Sequence, residues 1–181
     1  MPRIEPLLPT QADEVTARTL KAVEAKLGMV PKLFSTFARA PAALNGYLMF
    51  SEALGKGRLS ARQSEIVALA VAQANSCQYC LSAHTALGKG AGLSEREVLA
   101  ARSGKAVDPI EQAVATLATS LVHQRGVISE AEFSSARAAG LDDGLILEVV
   151  AHVALNVLTN YTNHVAGTEI DFPTVDITIA A

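Results

Sequence analysis

Two cysteines, one histidine and one glutamate carry the chemistry that this sequence could do. Cys77 and Cys80 are the only cysteines, two residues lie between them, and His84 follows Cys80 by four. A helix turns by about 100° per residue, so the three side chains fall within about 60° of one another on one face. Positions i and i+3 of a helix also place their Cα atoms about 5 Å apart, inside the range that a disulfide requires. Such a pair can open and close without moving the fold. Asn75 and Ser76 precede Cys77 and predict it in the first helical turn. Unpaired backbone N–H groups and the helix dipole stabilise a thiolate there. Cys80 sits one turn further in, where the His84 imidazole can take the thiol proton or hold the thiolate as an ion pair. Each thiol has its own route to activation, and spacing leaves open which one attacks first.

Glu65 and Tyr79 complete the candidate site. On one continuous helix Glu65 would stand about 120° off the thiol stripe. A break at Asn75-Ser76 lets its helix turn back, so that the carboxylate can orient His84 directly or through water. The competing reading is an ordinary acid near a helix start, favoured by the dipole. Spacing alone favours that second reading. Tyr79 points about 100° from either cysteine, as packing or as a phenol supplied to a proton relay. A Cys-x-x-Cys with a histidine is also half of a zinc site, but structural zinc normally takes four ligands. His123, His152 and His164 complete no zinc-type spacing, so redox chemistry is favoured over metal. His152 reads as a hydrogen-bonded core residue, and His123 and His164 as helix-end residues that meet the dipole.

The elements that must position these residues are helices, and the fold class is all-α. A first helix is expected after Thr10, stopped at Gly28, with Pro31 and Pro41 in the first turns of short helices. Ser60 caps an apolar segment over Ala61–Ala74. Asn75-Ser76 interrupts it and caps a helix over Cys77–Lys89, stopped by Gly90 and Gly92. Ser94 with Glu97 and Ser129 with Glu132 read as capping boxes. Asp108-Pro109 opens a helix to about Gln124, and a long apolar helix covers Asp143 to Asn163. Beyond Gly167 the alternating β-branched residues predict an extended tail. Ser64–His84 also aligns without gaps on Gly144–His164, a faint internal repeat in which Asn160 stands opposite Cys80.

The chain has 181 residues and reads as one domain over 1–181 with the redox motif at 60–90. Half of its residues are hydrophobic and 18% are charged, a lean towards apolar surface buried between subunits. Net charge is −3 with no basic run, so no nucleic-acid partner is expected. The N-terminal residues lack a signal-peptide pattern, and the run Ile66–Ala72 is too short to cross a bilayer. A cytoplasmic chain with no membrane partner is expected, where two cysteines point to catalysis or metal binding over a structural role.

The run Glu65…Cys77-x-Tyr79-Cys80-x3-His84 resembles the alkylhydroperoxidase D and carboxymuconolactone decarboxylase superfamily. Leu27-Gly28-x-Val30-Pro31, Leu59-Ser60, Gly88 and Gly92-Leu93-Ser94 agree with it. The closing Asn160-Tyr161-x-Asn163-His164-x-Ala166-Gly167-Thr168-Glu169-x-Asp171-Phe172-Pro173 resembles its peroxidase-related subgroup. The resemblance implies an all-helical fold assembled as a trimer or hexamer, with no bound cofactor. It implies a thiol peroxidase in which Cys80 attacks a hydroperoxide, deprotonated by His84, Glu65 and water. Cys77 then resolves the sulfenic acid into a disulfide, and an external dithiol such as a dihydrolipoyl group reduces it. The alkylhydroperoxidase D proteins proper carry His where this chain has Tyr79. The decarboxylase branch typically lacks the cysteine pair, which disfavours lactone decarboxylation. The alternative is a CxxC disulfide oxidoreductase or redox sensor.

Overall fold

In a computed structural model, residues 1–179 are described, and all regular structure among them is helical. A 3₁₀ turn at Pro9–Gln11 precedes α1 (Glu14–Leu27), α2 (Lys32–Phe37) and α3 (Pro41–Leu54). Then come α4 (Ala61–Ala74), α5 (Gln78–Gly90), α6 (Glu95–Arg102), α7 (Pro109–His123), α8 (Glu130–Ala138) and α9 (Asp143–Ala166). The boundaries follow local chemistry. Asp13 rather than Thr10 starts α1, because its carboxylate accepts the Thr16 N–H at 2.9 Å. Pro31 is the N-cap of α2, one position outside its expected place, while Pro41 occupies the first turn of α3. Both expected capping boxes are present, at Ser94/Glu97 and Ser129/Glu132. Gly28 and Gly167 take left-handed φ of 76° and 61° and end α1 and α9, so α9 runs one turn past Asn163.

Helix α4 is the hub, packing against α5, α6, α7 and α9. Every residue from Ile66 to Ala72 is buried, because the helix meets neighbours all round. Val67 and Val71 join Val114, Leu117, Leu141 and Val149 in one core with α7, α8 and α9. Ile66 and Leu69 pack with Leu93, Val98 and Ala101 beneath α6. The end of α4 and the start of α5 belong to a third cluster, with Leu20, Phe34, Phe37 and Leu44. Arg62 pins the first turn of α4 to its surroundings. It donates to Glu111 at 2.7 Å and to the Gly92 carbonyl at 2.9 Å, and it pairs with Glu97.

The tail beyond Gly167 is neither helix nor strand among the described residues. No strand lies beside it, so side chains satisfy its backbone instead. Gln73 and Gln78 donate to the carbonyls of Ile177 and Val175 at 3.0 and 3.1 Å. The Val175 N–H donates to Ser82 Oγ at 3.2 Å. Buried Arg102 donates to the Asp176 and Ile177 carbonyls at 2.6 and 3.0 Å. Ile170, Phe172, Val175 and Ile177 seal the third cluster from outside. The proposed repeat does not extend to architecture. Ser64–His84 is two helices joined by a sharp break, whereas Gly144–His164 lies in unbroken α9.

Helix α9 alone among the described residues is long and apolar enough to cross a bilayer, but one side of it packs inside the fold. Its outer side presents Leu147, Val150, Ala154, Leu158, Tyr161 and Val165 as an exposed, uncharged stripe.

Candidate active site

The break between α4 and α5 builds the thiol pair. Asn75 ends α4, Ser76 takes a left-handed φ of 53°, and the Cys77 N–H closes back on the Ala72 carbonyl at 2.9 Å. Cys77 is then the N-cap of α5, not a first-turn residue as its neighbours suggested. The geometry explains the difference. With Ser76 spent on the α4 terminus, the next side chain able to accept from the new helix is the Cys77 sulfur. It accepts the Cys80 N–H at 3.3 Å. The same residue therefore ends one helix and starts the next, and its sulfur meets an unpaired N–H of the α5 N-terminus.

Cys77 and Cys80 are joined by a disulfide, with Cα atoms 5.3 Å apart. Both are buried, at 1% and 2% exposure. The expectation that i,i+3 spacing permits the bridge holds.

Glu65 lies against His84, its Oε2 at 2.8 Å from Nδ1. The two residues come from α4 and α5, and the sharp turn between these helices brings them together across 19 positions of sequence. The ordinary first-turn reading of Glu65 does not describe where it sits. With Nδ1 held by the carboxylate, Nε2 is the ring nitrogen left for other chemistry. Both side chains are about one-fifth exposed (21% and 18%), so this pair lies nearer solvent than the sulfurs.

Tyr79 joins neither pair. Its hydroxyl donates to Asp171 at 2.8 Å and accepts the Leu33 N–H at 3.4 Å, and its ring meets Phe172 edge-on. Burial and the Asp171 carboxylate push the phenol far above its ordinary value of 10. The rotation of about 100° that takes it off the thiol stripe turns it towards the tail. Its place is a fastening, away from the Glu65–His84 pair.

Helix α9 gives Asn160, Asn163 and His164 contacts that their spacing did not indicate. Asn163 donates its Nδ2 to Cys80 Sγ at 3.3 Å. Asn160 is fully buried and accepts from Asn75 Nδ2 at 3.0 Å, which holds the break in place. His164 Nε2 lies 2.9 Å from the Asn75 carbonyl, so this helix-end histidine also braces the break. His123 closes α7 as expected. His152 is buried, but its Nε2 finds no hydrogen-bond partner among the described residues, contrary to expectation. Burial holds its imidazole below the ordinary 6.5, while the Glu148 and Glu65 charges oppose that. His152, Asn156, Asn160 and Asn163 recur at helical spacing along the buried side of α9. That recurrence was the available signal. Among the described residues, no three His, Cys, Asp or Glu side chains are placed to hold a metal ion.

Comparison with known proteins bears on the fold that holds these residues. Residues 36–108 match the carboxymuconolactone decarboxylase family model. No curated protein matches the chain. Among solved structures, the chain is similar to the alkylhydroperoxidase D core of a peroxidase-related protein from Ralstonia eutropha JMP134. The TM-score is 0.84 at 22% identity, over 94% of this chain and 92% of that one. A peroxidase-related protein from Silicibacter sp. TM1040 follows, with a TM-score of 0.79 at 22% identity over 92% and 91%. The debrominase Bmp8 shares the fold with a TM-score of 0.78 at 17% identity over 93% and 91%. A variant of Bmp8 has been solved with 2,3,4-tribromopyrrole. At these identities the structural likeness bears on the fold.

Proposed function

From a chain that carries the carboxymuconolactone decarboxylase family match over 36–108 in an alkylhydroperoxidase D-like fold, we propose a thiol-dependent peroxidase. One observation carries the reading: a Cys77–Cys80 disulfide at the start of α5, with His84 one turn further along that helix and hydrogen-bonded to Glu65 of α4. The cycle has three balanced steps. Reduced Cys80 gives its proton to His84 Nε2, and the thiolate attacks the hydroperoxide. The O–O bond breaks, an S–O bond forms, and the departing alkoxide takes the proton and leaves as an alcohol. Cys77 then attacks the Cys80 sulfenic acid, releasing water and closing the disulfide. An external dithiol, a dihydrolipoyl group in this reading, attacks Cys77 and restores both thiols as it becomes a disulfide itself. Glu65 orients His84 throughout.

Burial favours this reading over the alternative of a CxxC disulfide oxidoreductase or redox sensor. At 1% and 2% exposure the sulfurs suit a small oxidant and a slender reductant better than a folded protein's disulfide. We place the protein in the cytoplasm, where reducing pools restore thiols. The uncharged outer stripe of α9 supports a homo-oligomer that buries it.

The test is hydroperoxide consumption by wild type, Cys77→Ser and Cys80→Ser with a panel of dithiols. A bromopyrrole is included because a debrominase shares the fold. Cys77→Ser should consume one equivalent and keep a sulfenic acid, and Cys80→Ser should lose the fast reaction. Disulfide exchange without peroxide turnover would move the function to the oxidoreductase. Reversed phenotypes would make Cys77 the attacking thiol.

A further inference from the structure

We propose that Asn163 is a catalytic residue of the thiol site, its side-chain amide holding Cys80 as the attacking thiolate. The inference rests on the peroxidase reading only for the word attacking; the contact itself does not depend on the substrate. Asn163 Nδ2 lies 3.3 Å from Cys80 Sγ. In the oxidised form that sulfur is a weak acceptor, whereas a thiolate there would receive a charge-assisted hydrogen bond, roughly twice as strong as a neutral one.

Two further observations separate this role from ordinary packing. Asn163 is 5% exposed, and its Oδ1 has no hydrogen-bond partner among the described residues. Each unpaired buried polar atom costs about 1–3 kcal/mol, a cost that Asn163 bears at Oδ1 and Asn160 at Nδ2. Asn160 is paired with Asn75, whereas among the described residues the Asn163 side chain bonds only to the Cys80 sulfur, so pairing within the core does not explain its burial. The two thiols are also treated differently. The Cys77 sulfur accepts a backbone N–H of its own helix, whereas the Cys80 sulfur receives a donor from α9, a separate element. This gives Cys80 a stabiliser that does not depend on the helix dipole, and it adds to the proton path through His84. The spacing argument left the order of the thiols open, and the amide favours Cys80.

Titratable groups on the packed elements include Tyr47 on α3, Glu65 on α4, Tyr79 and His84 on α5 and Glu148, His152 and His164 on α9, with Lys32 on α2 and Asp171 in the tail. None of them is altered by a change at Asn163.

The experiment uses the Cys77→Ser chain, in which Cys80 is the single thiol. Its alkylation by iodoacetamide is followed from pH 5 to 10, alone and with Asn163→Ala or Asn163→Asp, and hydroperoxide reaction is followed in parallel. Removing the donor should slow alkylation about tenfold at neutral pH, with the rates converging where the thiolate forms unaided. Asn163→Asp keeps the shape but sets a carboxylate against the thiolate, so it should be slower still. If Asn163→Ala does not fold, Asn163→Ser carries the same comparison. Unchanged profiles in Ala or Ser and in Asp would overturn the assignment, and so would an equal loss at every pH, the mark of a packing role. The two readings separate cleanly. A shifted alkylation profile without peroxide reaction would sink the peroxidase and leave the Asn163 contact standing. Peroxide reaction with an unmoved profile would do the reverse.

Discussion

Removing the Glu65 carboxylate tests whether His84 works as a base. The bond from Oε2 to Nδ1 is 2.8 Å, and the two side chains are 18% and 21% exposed. A hydrogen bond to a charged group contributes about 1.5–3 kcal/mol, and partial exposure argues for the lower end. Glu65→Ala loses the whole bond, so about 1.5 kcal/mol of support for the imidazolium disappears, a little more than tenfold in rate. Glu65→Gln can still accept from Nδ1–H through its amide oxygen. It loses only the charge-assisted part, about half, which leaves a three- to fivefold deficit. The order Ala slower than Gln slower than wild type is therefore part of the prediction. The chain has no tryptophan, so the peroxide reaction of reduced protein is best followed by quenched flow and thiol counting. Both deficits should shrink above about pH 8.5, where the free thiol ionises without a base. Wild-type rates in both variants at pH 7 would refute the base. A deficit that stays constant through high pH would show that the pair only ties α4 to α5.

Ser76→Gly should raise stability by about 0.5–1 kcal/mol, because a left-handed φ of 53° strains any residue with a Cβ; a lowered urea midpoint would contradict this. Glu97, Glu132 and Asp142 are held down to about 2, chiefly by Ser94, Ser129 and Arg58 respectively. Each folded value lies below its ordinary 4.5 or 3.8, so the stability these groups add is complete above about pH 4.5 and lost as pH falls towards 2. Thermal melts should record that loss in this window, and a melting temperature flat to pH 2 would refute it. Leu158→Glu places a charge in the exposed stripe of α9 and should dissociate the proposed oligomer in sedimentation. A wild type that sediments only at 18.9 kDa would remove the premise.

The helix ends were legible because their signals are local. Ser60, Ser94, Asp108 and Ser129 each accept from the first turn of the helix they precede, as their residue types require. Tertiary placement leaves no such local mark. Asn75-Ser76 looks like a helix start but closes α4, so Cys77 sits one position further out than its neighbours imply. On one continuous helix Glu65 stands off the thiol stripe, and the break at Asn75-Ser76 gives it a way back without fixing whether it takes it. Its meeting with His84 depends on how sharply α4 and α5 fold back, which no spacing rule contains. Asn163 was hidden inside an apolar helix, where a polar residue reads as an outward one until the buried side is known.

The amides buried along α9 set stability and activity against each other. Asn160 Nδ2 and Asn163 Oδ1 lie in the interior without partners among the described residues, so aliphatic replacements of similar size would relieve that penalty. Selection for melting temperature alone would therefore drift towards leucine at these positions. It would yield a sturdier protein with the same helices, from which the brace of the helix break and the donor to Cys80 had been erased.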